Sequence, residues 1–147
     1  MGSENEQGDV TFVRIYNATP QVMFTAMTTP EHLMNFWGPP GMTTPLGSIV
    51  IDLRPGGEFT TVMVDPEGNE YPNGGVFVEF EEPTRLVWAE SGVAEGMTNT
   101  ITFRDLGDGR TEATTVQTNV PAVFRSPEAV AGMNLAFDRM DAYVSGL

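Results

Sequence analysis

The chain contains no cysteine and no lysine. Without cysteine there is no disulfide framework, no thiolate nucleophile and no thiolate metal ligand. Without lysine there is no Schiff-base chemistry and no P-loop, whose lysine must reach the phosphates. Positive charge is scarce altogether: seven arginines face 20 acidic residues, for a formal net charge of −13. The acids are spread over both halves and no basic patch interrupts them, so nucleic acid and anionic membrane surfaces would be repelled. Histidine occurs once, as His32. A zinc site there would need carboxylates for all its other ligands, an unusual set. No apolar run approaches the roughly 18 to 20 residues that cross a bilayer. The opening MGSENEQGD shows no basic start followed by an apolar stretch, as a secretory signal would. These absences predict a cytoplasmic protein with no cofactor, no metal, no nucleic-acid partner and no membrane insertion. They leave a disordered lead at 1–9 and a single domain over 10–147, a length that suits one core.

What is present is a clear sequence of patterns. Val10 to Tyr16 (VTFVRIY) is rich in β-branched and aromatic residues and reads as a strand. Thr19-Pro20 and Thr29-Pro30 each set a capping hydroxyl before a proline, the N-cap/N1 arrangement of a helix start. Two short helices, QVMFTAMT and EHLMNFW, follow these signals and end before Gly38-Pro39-Pro40-Gly41. Apolar–polar alternation then predicts strands at Ser48 to Leu53, Glu58 to Val64, Val76 to Glu81, Arg85 to Ser91, Thr98 to Arg104 and Thr111 to Thr118. Ile49, Ile51 and Leu53 share one face of the first of these, and Val76, Val78 and Phe80 one face of the third. The connections are short, among them the turns DPEGN (Asp65 to Asn69) and DLGDG (Asp105 to Gly109), so neighbouring strands must run antiparallel. Ser126-Pro127-Glu128 opens a last, long helix on which Val130, Met133, Phe137, Met140 and Val144 form one stripe. That stripe needs an apolar partner, and the sheet is the only large one available.

Three segments carry a family resemblance: TPEHLMNFWGPPGMTTP (Thr29 to Pro45), DLRPGGEF (Asp52 to Phe59) and DPEGNEYPNGGVFVEFEEPTRLVW (Asp65 to Trp88). In this order the chain resembles the START-like (SRPBCC) superfamily, whose helix-grip fold is that of the birch-pollen allergens. Within it the segments are similar to the bacterial domains homologous to the activator of the heat-shock-protein-90 ATPase. The resemblance implies an α+β domain: a curved antiparallel sheet of about six to seven strands around a long C-terminal helix, with two short helices after strand one. It also implies a cavity between sheet and helix that holds a hydrophobic or amphipathic small molecule. Relatives in the superfamily include polyketide cyclases and aromatases, and the family's eukaryotic members stimulate a chaperone. A cyclase- or hydrolase-type enzyme and a chaperone-interacting domain are therefore the alternatives to a binding module, and a homodimer is compatible with all three.

The residues that could serve such a cavity are apolar and aromatic. Trp37, Phe59, Met63, Phe77, Trp88, Phe103, Met133 and Phe137 are candidates for its lining, with core packing as the competing reading of each. Trp37 would stand at the pocket mouth or plug it. Arg54, two residues after Asp52 in IDLRPGGEF, either pairs with that carboxylate at the surface or turns inward as a cation at the rim. Pro55-Gly56-Gly57 reads as a strand-to-strand turn. Glu79 is placed opposite Val78 and Phe80, Glu81 and Glu82 in a solvated turn, and His32 on the surface of its helix.

Overall fold

The computed structural model describes residues 8–147, apart from the side chain of Val93. The first strand, β1, spans Gly8–Tyr16 and is followed by two helices, α1 (Pro20–Thr28) and α2 (Pro30–Leu33). Six further strands follow: β2 (Val50–Ile51), β3 (Glu58–Val64), β4 (Glu70–Glu81), β5 (Arg85–Glu90), β6 (Thr98–Asp105) and β7 (Thr111–Val120). The helix α3 (Pro127–Val144) closes the order. The strands form one sheet, β1-β7-β6-β5-β4-β3-β2, with every pairing antiparallel. This is the expected α+β arrangement. Of the lead expected at 1–9, the first seven residues lie outside the described residues, whereas Gly8 and Asp9 already belong to β1.

The capping signals hold at two of three sites. The Thr19 hydroxyl accepts from the Val22 amide at 3.2 Å and the Ser126 hydroxyl from the Ala129 amide at 3.1 Å, each satisfying an otherwise orphaned donor. Thr29 makes no such bond. Its helix is correspondingly short: α2 has four residues and gives way to turns running to Trp37 rather than a helix over EHLMNFW.

Two strands depart from the alternation read in the sequence, in three ways. The segment Ser48 to Leu53 forms ladder bonds only at Val50–Ile51, because a 3-10 turn occupies Leu46–Ser48 and a tight turn begins at Asp52. Its faces are nevertheless as expected: Ile49 is buried, Ile51 and Leu53 pack against the core, and Val50 is exposed. Strand β4 begins six residues earlier than Val76, through Tyr71-Pro72-Asn73-Gly74-Gly75. Proline is tolerated there because pairing with β5 starts only at Gly75–Glu90, leaving the first part of β4 bonded on one side. The third departure inverts a face. A bulge between Phe77 and Glu79 shifts the register, so Phe77 is buried while Val76 and Val78 are exposed. Phe80 still packs on the core, on the far side of the bulge.

The core lies between the sheet and the three helices. Met23, Phe24, Ala26 and Met27 of α1, Leu33 and Phe36 around α2, and Met140 and Val144 of α3 meet Tyr16, Leu86, Ile101 and Phe103 of the sheet. Fully burying each large side chain contributes about 1.5–3 kcal/mol, so the last turns of α3 are firmly held.

Tyr16 is part of this core, and its burial pushes the hydroxyl well above its ordinary value. The Arg14 charge pulls the other way, while Asp141 and Asp138 add to the rise. Because the folded value exceeds the unfolded one of about 10, the unfolded chain gives up this proton first. The resulting stability is complete below about pH 10 and falls as pH climbs from there toward the folded value. Urea midpoints measured from pH 8 to 11 should show this alkaline decline, and Tyr16→Phe should make it shallower. An identical slope in the variant would contradict this.

Candidate ligand site on the concave face

Strand alternation places one set of side chains toward the helices: Phe59 and Thr61 of β3, Phe77 of β4, Trp88 and Glu90 of β5, Asn99 of β6, and Thr115 and Gln117 of β7. On the β3–β5 side these form an aromatic wall. Phe59 stacks on Phe77 at 4.9 Å between ring centroids and meets Trp88 edge-on at 5.1 Å. Trp37, half-buried after α2, lies 5.6 Å from Phe59 and 6.5 Å from Trp88. Aromatic pairs at such separations add stability beyond the area they bury.

Both indole N–H groups are tied into polar neighbours. Trp37 Nε1 donates to Asn73 Oδ1 at 3.1 Å, and the same oxygen accepts from the Thr61 hydroxyl at 2.8 Å. Trp88 Nε1 donates to Glu90 Oε2 at 2.8 Å. Asn99 Nδ2 donates to that oxygen at 2.9 Å, and Gln117 Nε2 donates to Asn99 Oδ1 at 3.1 Å. A chain of polar groups, Gln117–Asn99–Glu90, therefore crosses three strands of the concave face. Asn99 and Gln117 are buried, and Glu90 is half-buried. Among the described residues no buried side-chain nitrogen or oxygen lacks a partner.

The helix above this polar row is held unevenly. Only Met140 and Val144 of α3 are buried; Val130, Met133 and Phe137, earlier on the stripe, are half-buried. Phe137 packs edge-on against Phe12 at 5.2 Å, and Arg14 bonds Asp138 at 2.5 Å. Phe12 pairs with Thr115 and Val10 with Gln117, so the polar row lies level with the helix before Phe137. The first half of α3 is thus less closely held than its second half, where Met140 and Val144 are buried. Arg139 ties it sideways to the loop after α2, donating from Nη1 to the carbonyls of Met42 at 3.0 Å and of Gly38 and Pro39 at 3.3 Å each. That loop carries Trp37.

The structure brings some of the expected lining together and separates the rest. Trp37, Phe59, Phe77 and Trp88 form the aromatic wall described above, and Met63 is half-buried beside the loop, its sulfur near Gly38. Met133 and Phe137 lie on the facing helix. Phe103 is buried at the other end of the face, beneath α1, and borders a surface hollow with Pro20, Pro83 and Thr84. Another surface hollow is lined by Gln21, Val22, Thr25, His32 and Leu147. Arg54 points outward, its side chain 69% exposed, and donates from Nε to Asp52 Oδ2 at 2.7 Å. The rim cation considered for it is therefore absent from the concave face. Glu79 also faces solvent and pairs with Arg85. His32 is not a free surface residue: its Nδ1 lies 2.7 Å from the Tyr143 hydroxyl, linking α2 to the end of α3.

Because the Arg54–Asp52 pair is exposed, it contributes little. Arg54→Ala should change the unfolding free energy by less than about 0.5 kcal/mol in a urea titration. A larger loss would mean that the arginine supports the turn in some other way.

Reading from sequence missed Glu90, Asn99 and Gln117. The signal was present for the first two: Glu90 follows Trp88 by two on a strand, and Asn99 alternates with Ile101 and Phe103. Their convergence needed the β5–β6 and β6–β7 registers, Trp88 opposite Asn99 and Asn99 opposite Gln117.

A seven-stranded antiparallel sheet folded against a long C-terminal helix, with two short helices after the first strand, defines the helix-grip class. Residues 17–145 match the family model described as Activator of Hsp90 ATPase homolog 1-like protein. The chain belongs to that family. Solved structures agree in fold. A protein of Nitrosomonas europaea is 25% identical with a TM-score of 0.83, covering 99% of this chain and 97% of its own. One from Mycobacterium smegmatis is 26% identical with a TM-score of 0.77, covering 95% and 92%. One from Rhodobacter sphaeroides, 22% identical, has a TM-score of 0.84 over 95% and 94%. A search of curated proteins finds no match.

Proposed function

We propose that the protein binds an apolar or amphipathic small molecule between the concave face of the sheet and the first half of α3. The observation that carries this reading is that Met133 and Phe137, on the helix stripe that faces the sheet, are only half-buried across from an aromatic wall and a polar row. Apolar walls with a few placed polar groups are what small-molecule sites generally present. The family's fold commonly serves such binding, which adds support without naming the ligand. The lining is Trp37, Met133 and Phe137, backed by the buried Phe59 and Trp88, with Glu90, Asn99 and Gln117 at the floor. Any proton transfer in this space would fall to Glu90, since Asp52, Arg54 and Glu79 face solvent. The same charge and composition favour a cytoplasmic protein with no nucleic-acid partner.

A bound ligand should stabilise the fold by mass action, about 2.7 kcal/mol at a hundred times its dissociation constant. A thermal-shift screen of lipids and aromatic polyketide-like compounds tests this, with Met133→Trp as the comparison. A larger side chain on the sheet-facing stripe would fill the space, so hits should lose their effect in the variant while its own melting temperature is kept. If no compound raises the melting temperature, or if hits act equally on the variant, the binding reading fails.

A further inference from the structure

The polar row carries a charge that no ion pair among the described residues offsets. Glu90 Oε2 accepts two hydrogen bonds, both from neutral donors, the Trp88 indole and the Asn99 amide. Gln117 fixes the Asn99 amide in the orientation that turns its NH2 toward the carboxylate. Glu90 Oε1 makes no hydrogen bond among the described residues, and none of the ion pairs described there includes Glu90. The two arginines at the helix–sheet seam are engaged elsewhere: Arg14 with Asp138, and Arg139 with the carbonyls of the loop after α2. A half-buried carboxylate held by neutral donors is a preformed seat for a cation, because its charge is oriented but not neutralised.

Given a binding site in the concave space, we propose that it selects ligands that join a cationic amine to an apolar or aromatic body. The amine donates to Glu90 Oε1, and the body lies against Trp37 and the exposed edge of Trp88, under Met133 and Phe137. A ligand with a carboxylate head is disfavoured: the floor offers it no cation, and the chain as a whole carries −13. This reverses the preference that an inward Arg54 would have produced.

Three probes that share one indole ring separate the possibilities: tryptamine, tryptophol and indoleacetate. The two tryptophans give two indole N–H signals in a nitrogen–proton NMR spectrum, and the Trp88 signal reports on the Glu90 bond. At a fixed moderate salt concentration tryptamine should shift the Trp88 signal and bind at least about tenfold tighter than indoleacetate, as expected for hydrogen bonds to a charged group. Glu90→Gln should bring tryptamine down to the level of tryptophol while changing tryptophol binding less than about threefold. Glu67→Gln, the same loss of charge in the exposed turn after β3, should leave the order intact. Should Glu90→Gln not fold, Glu90→Asp keeps the charge but withdraws it by one methylene, and should weaken tryptamine while keeping it ahead of the acid. An amine preference that survives Glu90→Gln, or that Glu67→Gln reduces equally, would assign it to overall charge and overturn the proposal. Binding of indoleacetate as tight as that of tryptamine would overturn it too, with the cavity reading intact so long as tryptophol binds. If none of the three probes moves either indole signal, the cavity reading itself falls, and the amine selectivity with it.

Discussion

Replacing Phe59 with alanine is expected to cost about 3–5 kcal/mol, the range for removing a large aromatic from a packed interior. Phe59 is 1% exposed and is the ring shared by the whole wall, touching Phe77, Trp88 and Trp37. Its loss leaves a void that three aromatic neighbours cannot close without abandoning their mutual geometry. With a total stability of about 5–15 kcal/mol for an ordinary domain, the variant should unfold at a clearly lower urea concentration. Its melting temperature should fall by roughly 6–20 °C at 2–4 °C per kcal/mol. The comparison is Phe124→Ala, where the ring is already 37% exposed and the change should be below about 1 kcal/mol. If Phe59→Ala costs as little as Phe124→Ala, the wall is a wet pocket lining and not a self-packed cluster.

Gly75→Ala should be at least as damaging, for a different reason. A methyl group added to Gly75 would sit 1.7 Å from the backbone carbonyl oxygen of Ala89. The obstacle is main chain, so no rotamer change relieves it, and β4 and β5 must move apart at the Gly75–Glu90 pair. Forced backbone shifts of this kind cost upward of about 3 kcal/mol. Because that pair holds Glu90 in place, the disturbance should also reach the Trp88 indole N–H signal, which donates to Glu90. Gly68→Ala is the control, in an open turn where an added carbon meets nothing within 4 Å. Its φ of +89° still carries some strain, so a cost of about 1 kcal/mol is expected there. A Gly75→Ala protein that melts with Gly68→Ala would show that the strands separate easily.

The element order was legible from local chemistry alone. Threonine or serine before proline marked the helix starts, and α1 and α3 begin where Thr19 and Ser126 cap them. Alternation between glycine-bearing turns marked β3 and β5–β7 to within two residues, and antiparallel pairing follows from short connections. Patterns of period two and 3.6 depend only on the residues of one segment, so one segment suffices to read them. The turn in IDLRPGGEF was legible in the same way, while the direction of Arg54 was not: its surface pairing with Asp52 appears only in the fold.

What the sequence could not disclose depends on neighbours brought from elsewhere in the chain. The bulge in β4 inverts the side of Val76 and Val78, and it exists only in the pairing with β5. The row Gln117–Asn99–Glu90 joins residues from three strands, set side by side by two registers that no single strand encodes. The looser seating of Met133 and Phe137 follows from where α3 is held: by its buried last turns and, from the side, by the Arg139 contacts. Capping signals and periodicity determined the order of the elements, and the resemblance of three segments to a known family implied the fold they build. Tertiary packing alone decided that the polar group facing its interior is an acid, Glu90, while Arg54 lies outside, because side-chain direction at a bend or bulge is settled by what the strand meets.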